Sequence, residues 1–378
     1  MSLSPQQQQA LQTLIAQRDP LLNGLQCYVV GGAVRDTLLQ LPVGDRDWVV
    51  VGAAPEQLAQ RGFIPVGGDF PVFLHPRTKE EVASARTERK SGRGYKGFTF
   101  YTGQDVSLVE DLSRRDLTIN AMALGTNGQF YDPLGGYIDL QKRCLRHVGQ
   151  AFVEDPVRLL RLARFAARFY TFSIADDTLA LAQELVQNGE VDALVAERVW
   201  QELHKALCTE HPWRMFEVLG QCGAAERILP GLVLSSEVEL ALARAVHAKL
   251  GPDQRFAVLC YQSAAPAQLA TQLRAPSHFK DLARLLPLFL ESLALPFTST
   301  DVATALQRLD SLRKPERFRQ LVAAAQCVTQ SDLSHWLRAA CAFASVDAGA
   351  IARSYQGQPK SIPEAVWAAR LKALTTIF

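Results

Sequence analysis

Two carboxylates one residue apart, Asp45 and Asp47, lead into the apolar run Trp48-Val49-Val50-Val51. Such a run is consistent with a buried strand. On an extended chain alternate side chains share a face, so Asp45 and Asp47 point one way and Arg46 the other. Two like charges held that close raise one pKa unless a cation sits between or beside them. Magnesium suits such a pair, because it takes carboxylate oxygens and completes its shell with water and substrate phosphates. The competing interpretation is that the acids merely cap the end of a strand or turn, since Asp-x-Asp alone is common.

Upstream, Tyr28-Val29-Val30 reads as a strand, Gly31-Gly32 as a tight turn and Ala33 to Leu39 as the start of a helix. A turn of this kind aims backbone N–H groups and the positive helix end at an anion, and Arg35 adds charge nearby. A phosphate site would thus precede the metal site by about one helix and a turn. Further along, Glu154-Asp155-Pro156-Val157-Arg158 opens a helix with acids and a proline in its first turn, which by itself is an N-terminal capping arrangement. Arg158, Arg161 and Arg164 follow at three-residue intervals along one helical face. On the residues alone, a solvated arginine ridge explains them equally well.

The ordered set GGAVRD, DRDWVVVG, RTERKSGRGY (86–95), EDLSRRDLTINAMA (110–123), DPLGGYIDL (132–140) and EDPVRLLRLARFAAR (154–168) resembles the class II tRNA nucleotidyltransferases and the related bacterial poly(A) polymerases, members of the polymerase-β-like superfamily. The resemblance spans residues 25–225. It implies attack by an RNA 3′ hydroxyl on the α-phosphorus of CTP or ATP with release of pyrophosphate. Carried onto this sequence, Asp45 and Asp47 are the catalytic carboxylates and hold Mg2+, Gly32 and Arg35 meet the triphosphate, and Arg115 contacts the nucleotide. Glu80, Glu81 and Asp116 are candidates for a third carboxylate.

The same resemblance assigns the segment from Asp155 through Arg158, Arg161 and Arg164 to nucleobase selection. Cytosine and adenine both present an exocyclic amine donor beside a ring-nitrogen acceptor, which Asp155 and Arg158 respectively complement. Uracil and guanine present mismatched groups there and would lose hydrogen bonds. Arg89 to Gly97, with its glycines and charges, resembles the mobile loop used in the switch from C to A. The implied partners are the tRNA acceptor end, CTP and ATP, with no DNA and no membrane.

These residues require elements to carry them. CYVVGG (27–32), DWVVVG (47–52), PVFLH (71–75) and GFTFYT (97–102) read as short strands separated by turns, so the first part is α+β. From Glu154 the patterns EDPVRLLRLARFAARF, ADDTLALAQELVQN, AERVWQELHKALC and HPWRMFEVLGQCG are helical. The expected architecture is an α+β nucleotidyltransferase head with a mixed or antiparallel sheet over 1–148, then an all-α neck over 149–229 and an all-α body and tail over 230–378. The resemblance gives the last segment the role of holding tRNA through backbone shape and phosphates.

Composition is that of an ordinary globular chain: of 378 residues, 48% are hydrophobic and 21% charged, and the net charge of +2 does not advertise RNA. No apolar run reaches the ~18 residues a membrane span needs, and the glutamines of the N-terminus are unlike a secretory signal, so a cytoplasmic location is the expectation. The seven cysteines never form Cys-x-x-Cys pairs, and most of them read as small buried apolar residues. Gly92 to Gly97 satisfies Gly-x-Gly-x-x-Gly, yet the strand-like Phe98-Thr99-Phe100 follows where a dinucleotide fold needs a helix. Tyr261-Gln262 stand where longer relatives of the family carry a His-Asp phosphohydrolase pair, so that second activity is not expected.

The activity the resemblance implies is template-independent addition and repair of the 3′-terminal CCA of tRNA, and its three rivals are a poly(A) polymerase, an enzyme adding only CC or only A, and a noncatalytic RNA-binding protein. Gly67-Gly68-Asp69-Phe70 replaces the basic pair usual in poly(A) polymerases. The intact loop speaks against CC addition alone, and joint retention of Asp45, Asp47, Arg115, Asp155 and Arg158 against a mere binder.

Overall fold

The computed structural model describes residues 3–16, 18–66, 72–90, 98–101, 103–355, 357–375 and 377. The chain divides into two compact units, one of residues 1–195 with 217–228 and the other of residues 196–216 with 229–378.

The first unit is built on a mixed sheet. Its strands are β1 (Gln26–Val30), β2 (Asp47–Val51), β3 (Ile64–Val66), β4 (Val72–Leu74), β5 (Glu81–Ser84), β8 (Ala123–Gly125) and β9 (Phe130–Tyr131), in the order β3-β4-β5-β2-β1-β8-β9. Between β5 and β8 in the chain, β6 (Thr87–Lys90) and β7 (Phe98–Tyr101) form a separate antiparallel ribbon. A second small pair joins β10 (Cys144–Leu145) to β11 (Ser173–Ile174). Among the described residues of the main sheet, β2 and β5 pair in parallel and the other pairs are antiparallel.

The valine-rich strands β1 and β2 lie at the centre because both their faces are covered, as their near-continuous apolar runs require. Tyr28, Val30 and Val49 join Leu108, Leu112 and Ala123 in the core on one face. Register sets the chemistry: Val30 pairs with Asp47, and Asp47 pairs with Glu81, so the acid closes the polar end of an otherwise buried stripe.

Around this sheet run α1 (Pro5–Ala16), α2 (Gly32–Leu38), α3 (Pro55–Gln60), α4 (Leu108–Ser113), α5 (Gly136–Gln141), α6 (Val157–Arg168) and α7 (Asp176–Gln187). Helix α6 begins later than the sequence pattern suggests. Asp155 precedes Pro156 and is held extended at φ −116° and ψ 108°, as a residue before proline must be, while residues Gln150–Glu154 form a separate 3-10 turn.

The second unit is helical. It contains α8 (Ala196–Leu207), the start of α9 (Trp213–Gln221), and α11 (Ser236–His247) to α19 (Ile362–Leu374); α10 (Ala225–Ile228) belongs to the first unit. Helix α12 (Pro252–Cys260) is central, packed on α11, on α14 (Ser277–Leu293) and on α16 (Pro315–Thr329). Trp200, Phe256 and Phe279 meet edge to face, with centroids 4.7 to 5.4 Å from Trp200. A mixed-sheet head followed by helices is the class expected. No helix among the described residues is long and apolar enough to cross a membrane.

Candidate nucleotide and metal site

The turn between β1 and α2 depends on glycine. Gly31 caps α2 at φ +69° and ψ −124°, donates its N–H to the Met122 carbonyl at 3.1 Å, and accepts from the Arg35 N–H at 3.0 Å. A side chain there would adopt a conformation disfavoured for L residues and place its Cβ 3.2 Å from Arg115 Nη1. Gly32 follows as the first residue of α2.

Because Val30 is the register partner of Asp47, this turn begins one residue beyond the point where the carboxylate stands. Asp45 and Asp47 are both open to solvent. Asp47 opens β2, whereas Asp45 lies in the lead-in before it. Protein surrounds Asp47 closely enough that desolvation, then the charges of Glu81 and Asp45, raise its carboxyl pKa, against the opposing pull of Arg115 and Arg161.

Arg46 turns the other way. It pairs with Glu80, donates Nη1 to the Leu14 carbonyl at 2.9 Å, and lies over the Trp48 ring at 5.5 Å. Trp48 Nε1 also donates to Glu80, at 3.3 Å. Glu80 thus anchors the lead-in on the side away from the two aspartates, while Glu81 is the acid in register with Asp47.

Behind the turn lies a set of buried ion pairs. Asp111, fully buried, receives Arg114 Nη2 at 2.7 Å and Arg115 Nη2 at 3.1 Å. Burial alone would raise its pKa, but the two guanidinium groups hold it below the usual range. Arg115 Nε is buried with no hydrogen-bond partner among the described residues. Asp116 is likewise buried, and it accepts from Arg161 Nε at 2.6 Å, Asn120 Nδ2 at 3.0 Å and the Leu117 N–H at 2.8 Å. Burial opposes its ionisation, yet Arg161 and these hydrogen bonds hold it well below the ordinary value. Asp116 is therefore occupied within the protein.

Arg35, named for the triphosphate by the sequence, is only 2% exposed. It bonds Asp36 through Nε at 2.9 Å and bonds Asn120 through Nη1. Its guanidinium lies 5.1 Å from the ring centres of both Phe165 and Phe169. Arg158 is buried too and donates Nη1 to the Ala151 carbonyl at 2.9 Å, whereas Arg161 and Arg164 are half-buried. Arg164 stacks over Phe165 at 4.0 Å. Asp155, half-buried, accepts from the N–H of Val157, the first residue of α6, at 3.1 Å.

The structure thus brings Asp45, Asp47, Arg115 and Arg161 within electrostatic reach of one another beside the glycine turn. Sequence reasoning missed Asp36, Asp111, Asn120 and Arg168. For Asp111 a signal existed: arginines three and four residues later are the spacing of a helical ion pair. The segments Gly67 to Phe70 and 91–97, the latter with most of the expected switching loop and its glycine pattern, lie outside the described residues.

Among the described residues no three His, Cys, Asp or Glu side chains gather as a ligand cluster. Asp45 and Asp47 still suit a hard divalent cation, because two accessible carboxylates crowd a third acid and Asp47 is left under-compensated. Such a cation would relieve the repulsion while water and substrate oxygens filled its remaining positions.

Comparison with known proteins gives a consistent set of likenesses. The family described as "Poly A polymerase head domain" matches residues 27–146, and "Probable RNA and SrmB- binding site of polymerase A" matches residues 171–234. The CCA-adding enzyme of Bordetella bronchiseptica is 56% identical over 94% of this chain and 98% of its own length. The multifunctional CCA protein of Azoarcus sp. is 46% identical over 93% and 97%. Among solved structures, the Bacillus stearothermophilus CCA-adding enzyme in complex with CTP superposes with a TM-score of 0.69 at 24% identity, covering 98% of this chain and 93% of that one.

Proposed function

This chain belongs to the CCA-adding enzymes, the tRNA nucleotidyltransferases with a poly A polymerase head domain, and we propose that Asp45, Asp47, the glycine turn and the α6 arginines form its reaction site. The enzyme adds and restores the 3′-terminal CCA of tRNA without a template, using CTP and ATP and releasing pyrophosphate. Use of a divalent metal follows from the family. We take that metal to be Mg2+ and the enzyme's location to be the cytoplasm.

The observation that supports this reading is the register of Asp47 opposite Val30, which sets a carboxylate suited to a divalent cation next to a turn suited to phosphates. In the reaction the tRNA 3′ oxygen forms a bond to the α-phosphorus, and the bond to the pyrophosphate oxygen breaks. Asp45 and Asp47 would hold a divalent cation, which would supply Lewis acidity at the phosphate and lower the pKa of the 3′ hydroxyl.

The chain's own residues do the rest. Gly32 opens the backbone approach for the triphosphate, with the charge of Arg35 behind it. Arg115, whose buried Nε has no hydrogen-bond partner among the described residues, donates to the nucleotide. Asp155 accepts from the exocyclic amine shared by cytosine and adenine, and Arg158 donates to the adjacent ring nitrogen, with Arg161 and Arg164 beside them. Residues 1–148 serve as the catalytic head, 149–229 as the neck that selects the base, and 230–378 as the body and tail for tRNA.

The test is incorporation of each single radiolabelled nucleotide, with magnesium, into tRNA ending before CCA, after C and after CC. Ordered addition of C, C and A that then stops is expected. A alone on the CC-ended substrate means an A-adding specialist, unlimited A a poly(A) polymerase, and no incorporation a noncatalytic binder.

A further inference from the structure

Helix α6 docks along one stripe of its surface. Arg158 bonds the Ala151 carbonyl, Arg161 bonds Asp116, Phe165 and Phe169 flank the Arg35 guanidinium, and Arg168 Nη2 lies 2.8 Å from Asp36 Oδ2. Positions 158, 161, 165 and 168 follow the three- and four-residue spacing of one helical face. At 1.5 Å per residue the anchors from 158 to 168 span about 15 Å.

Asp36 joins the far end of this stripe to the glycine turn. Its Oδ1 receives Arg35 Nε and Nη2, at 2.9 and 2.8 Å, and its Oδ2 receives Arg168. Asp36 and Arg35 are 4% and 2% exposed, so both carboxylate oxygens act away from bulk water, whereas Arg168 reaches in from the surface. Arg35 also bonds Asn120, which bonds Asp116, which bonds Arg161. The polar chain therefore begins and ends on the same helix.

We propose that the Asp36–Arg168 pair is a positioning lock for base selection, which fixes the tilt and register of α6 and thereby the placement of its arginines against the glycine turn. The lock rests on the reading that Asp155 and the α6 arginines select the base. Arg168 itself is a positioning residue, about one turn from Arg164, two from Arg161 and three from Arg158, the arginines whose aim it controls. A slip of one residue would turn the helix by about 100° and misdirect all of them. A smaller tilt suffices to harm selection, because displacement of about 1 Å at a reacting site costs up to about a hundredfold in rate.

The test compares the wild-type chain with Arg168→Met and Arg168→Lys, measuring kcat/KM for CTP and UTP on tRNA ending before CCA, together with Tm. Arg168→Met should lower the CTP-to-UTP ratio by roughly tenfold, a fraction of that positional limit. Arg168→Lys, which keeps the charge at Asp36, should restore most of it. An unchanged ratio in Arg168→Met overturns the lock, even if Tm falls and both nucleotides slow equally. A lysine variant as unselective as the methionine variant also overturns it. A wild-type enzyme that fails to distinguish CTP from UTP overturns the base-selection reading itself; a selective wild type with an equally selective Arg168→Met overturns the lock alone.

Discussion

Arg161 on α6 reaches across to Asp116 with its Nε 2.6 Å from the carboxylate, and the acid it meets is almost wholly buried. A buried charge deprived of its partner typically costs about 3–5 kcal/mol. Because Arg161 is half in water, Asp116→Asn should cost less, about 2 kcal/mol, readable as a lower Tm. The same pair gives a pH dependence. Asp116 and Asp111 have folded pKa values below their ordinary value of 3.8, so the stability they contribute is complete above that value and is lost as pH falls through the lower folded values. Acid unfolding of Asp116→Asn should accordingly be shallower than that of the wild type.

Asp47 behaves in the opposite sense. Its pKa is raised, so its ionisation weakens the fold as pH climbs from 3.8 through the folded value. In metal-free buffer Asp47→Asn should therefore melt higher than the wild type, while incorporation falls by about a thousandfold or more through loss of a metal ligand. Magnesium should raise the Tm of the wild type and do little for the variant. Retained turnover, or a magnesium shift that survives the substitution, would remove Asp47 from the metal site.

Arg115, like Arg161, pulls the Asp47 pKa down. Without it that pKa rises further, so in Arg115→Ala the acid limb of the rate profile should move to higher pH. Its loss also removes a donor to the nucleotide, worth about 1.5–3 kcal/mol for a charged hydrogen bond, or roughly 10- to 150-fold in kcat/KM. An acid limb that stays in place would separate Arg115 from Asp47.

Gly31→Ala tests the turn. A φ of +69° is strained for alanine by about 1–2 kcal/mol, and the new Cβ would press on Arg115 Nη1. The nucleotide KM should rise with only a modest fall in Tm. Equal kinetics would show that the turn does not receive the triphosphate.

The strands around Val29 and Val49 and the helices from α6 onward were legible because apolar periodicity marks them directly. Strand β5 was not, because Glu81-Val82-Ala83-Ser84 is short and its parallel pairing with β2 is a tertiary choice of register. That pairing is what sets Glu81 beside Asp47. The GGAVRD and DRDWVVVG segments exposed the glycine turn and the acids through local geometry alone. The burial of Arg35 was not legible for the same reason: Phe165 and Phe169, which flank its guanidinium, lie more than a hundred residues later, and no local spacing encodes that contact.

Strand β5 has a further consequence where it leaves the sheet. The Ala85 N–H bonds the Val50 carbonyl at 2.8 Å, and the Arg86 N–H bonds the buried Asp111 at 3.3 Å, immediately before β6 begins. The β6–β7 ribbon is thus a cantilever clamped at its root by two adjacent residues, one tied to the strand of Asp47 and the other to the acid that holds Arg115. The point from which the ribbon departs is therefore set by backbone bonds at Ala85 and Arg86, whatever side chains β6 and β7 carry.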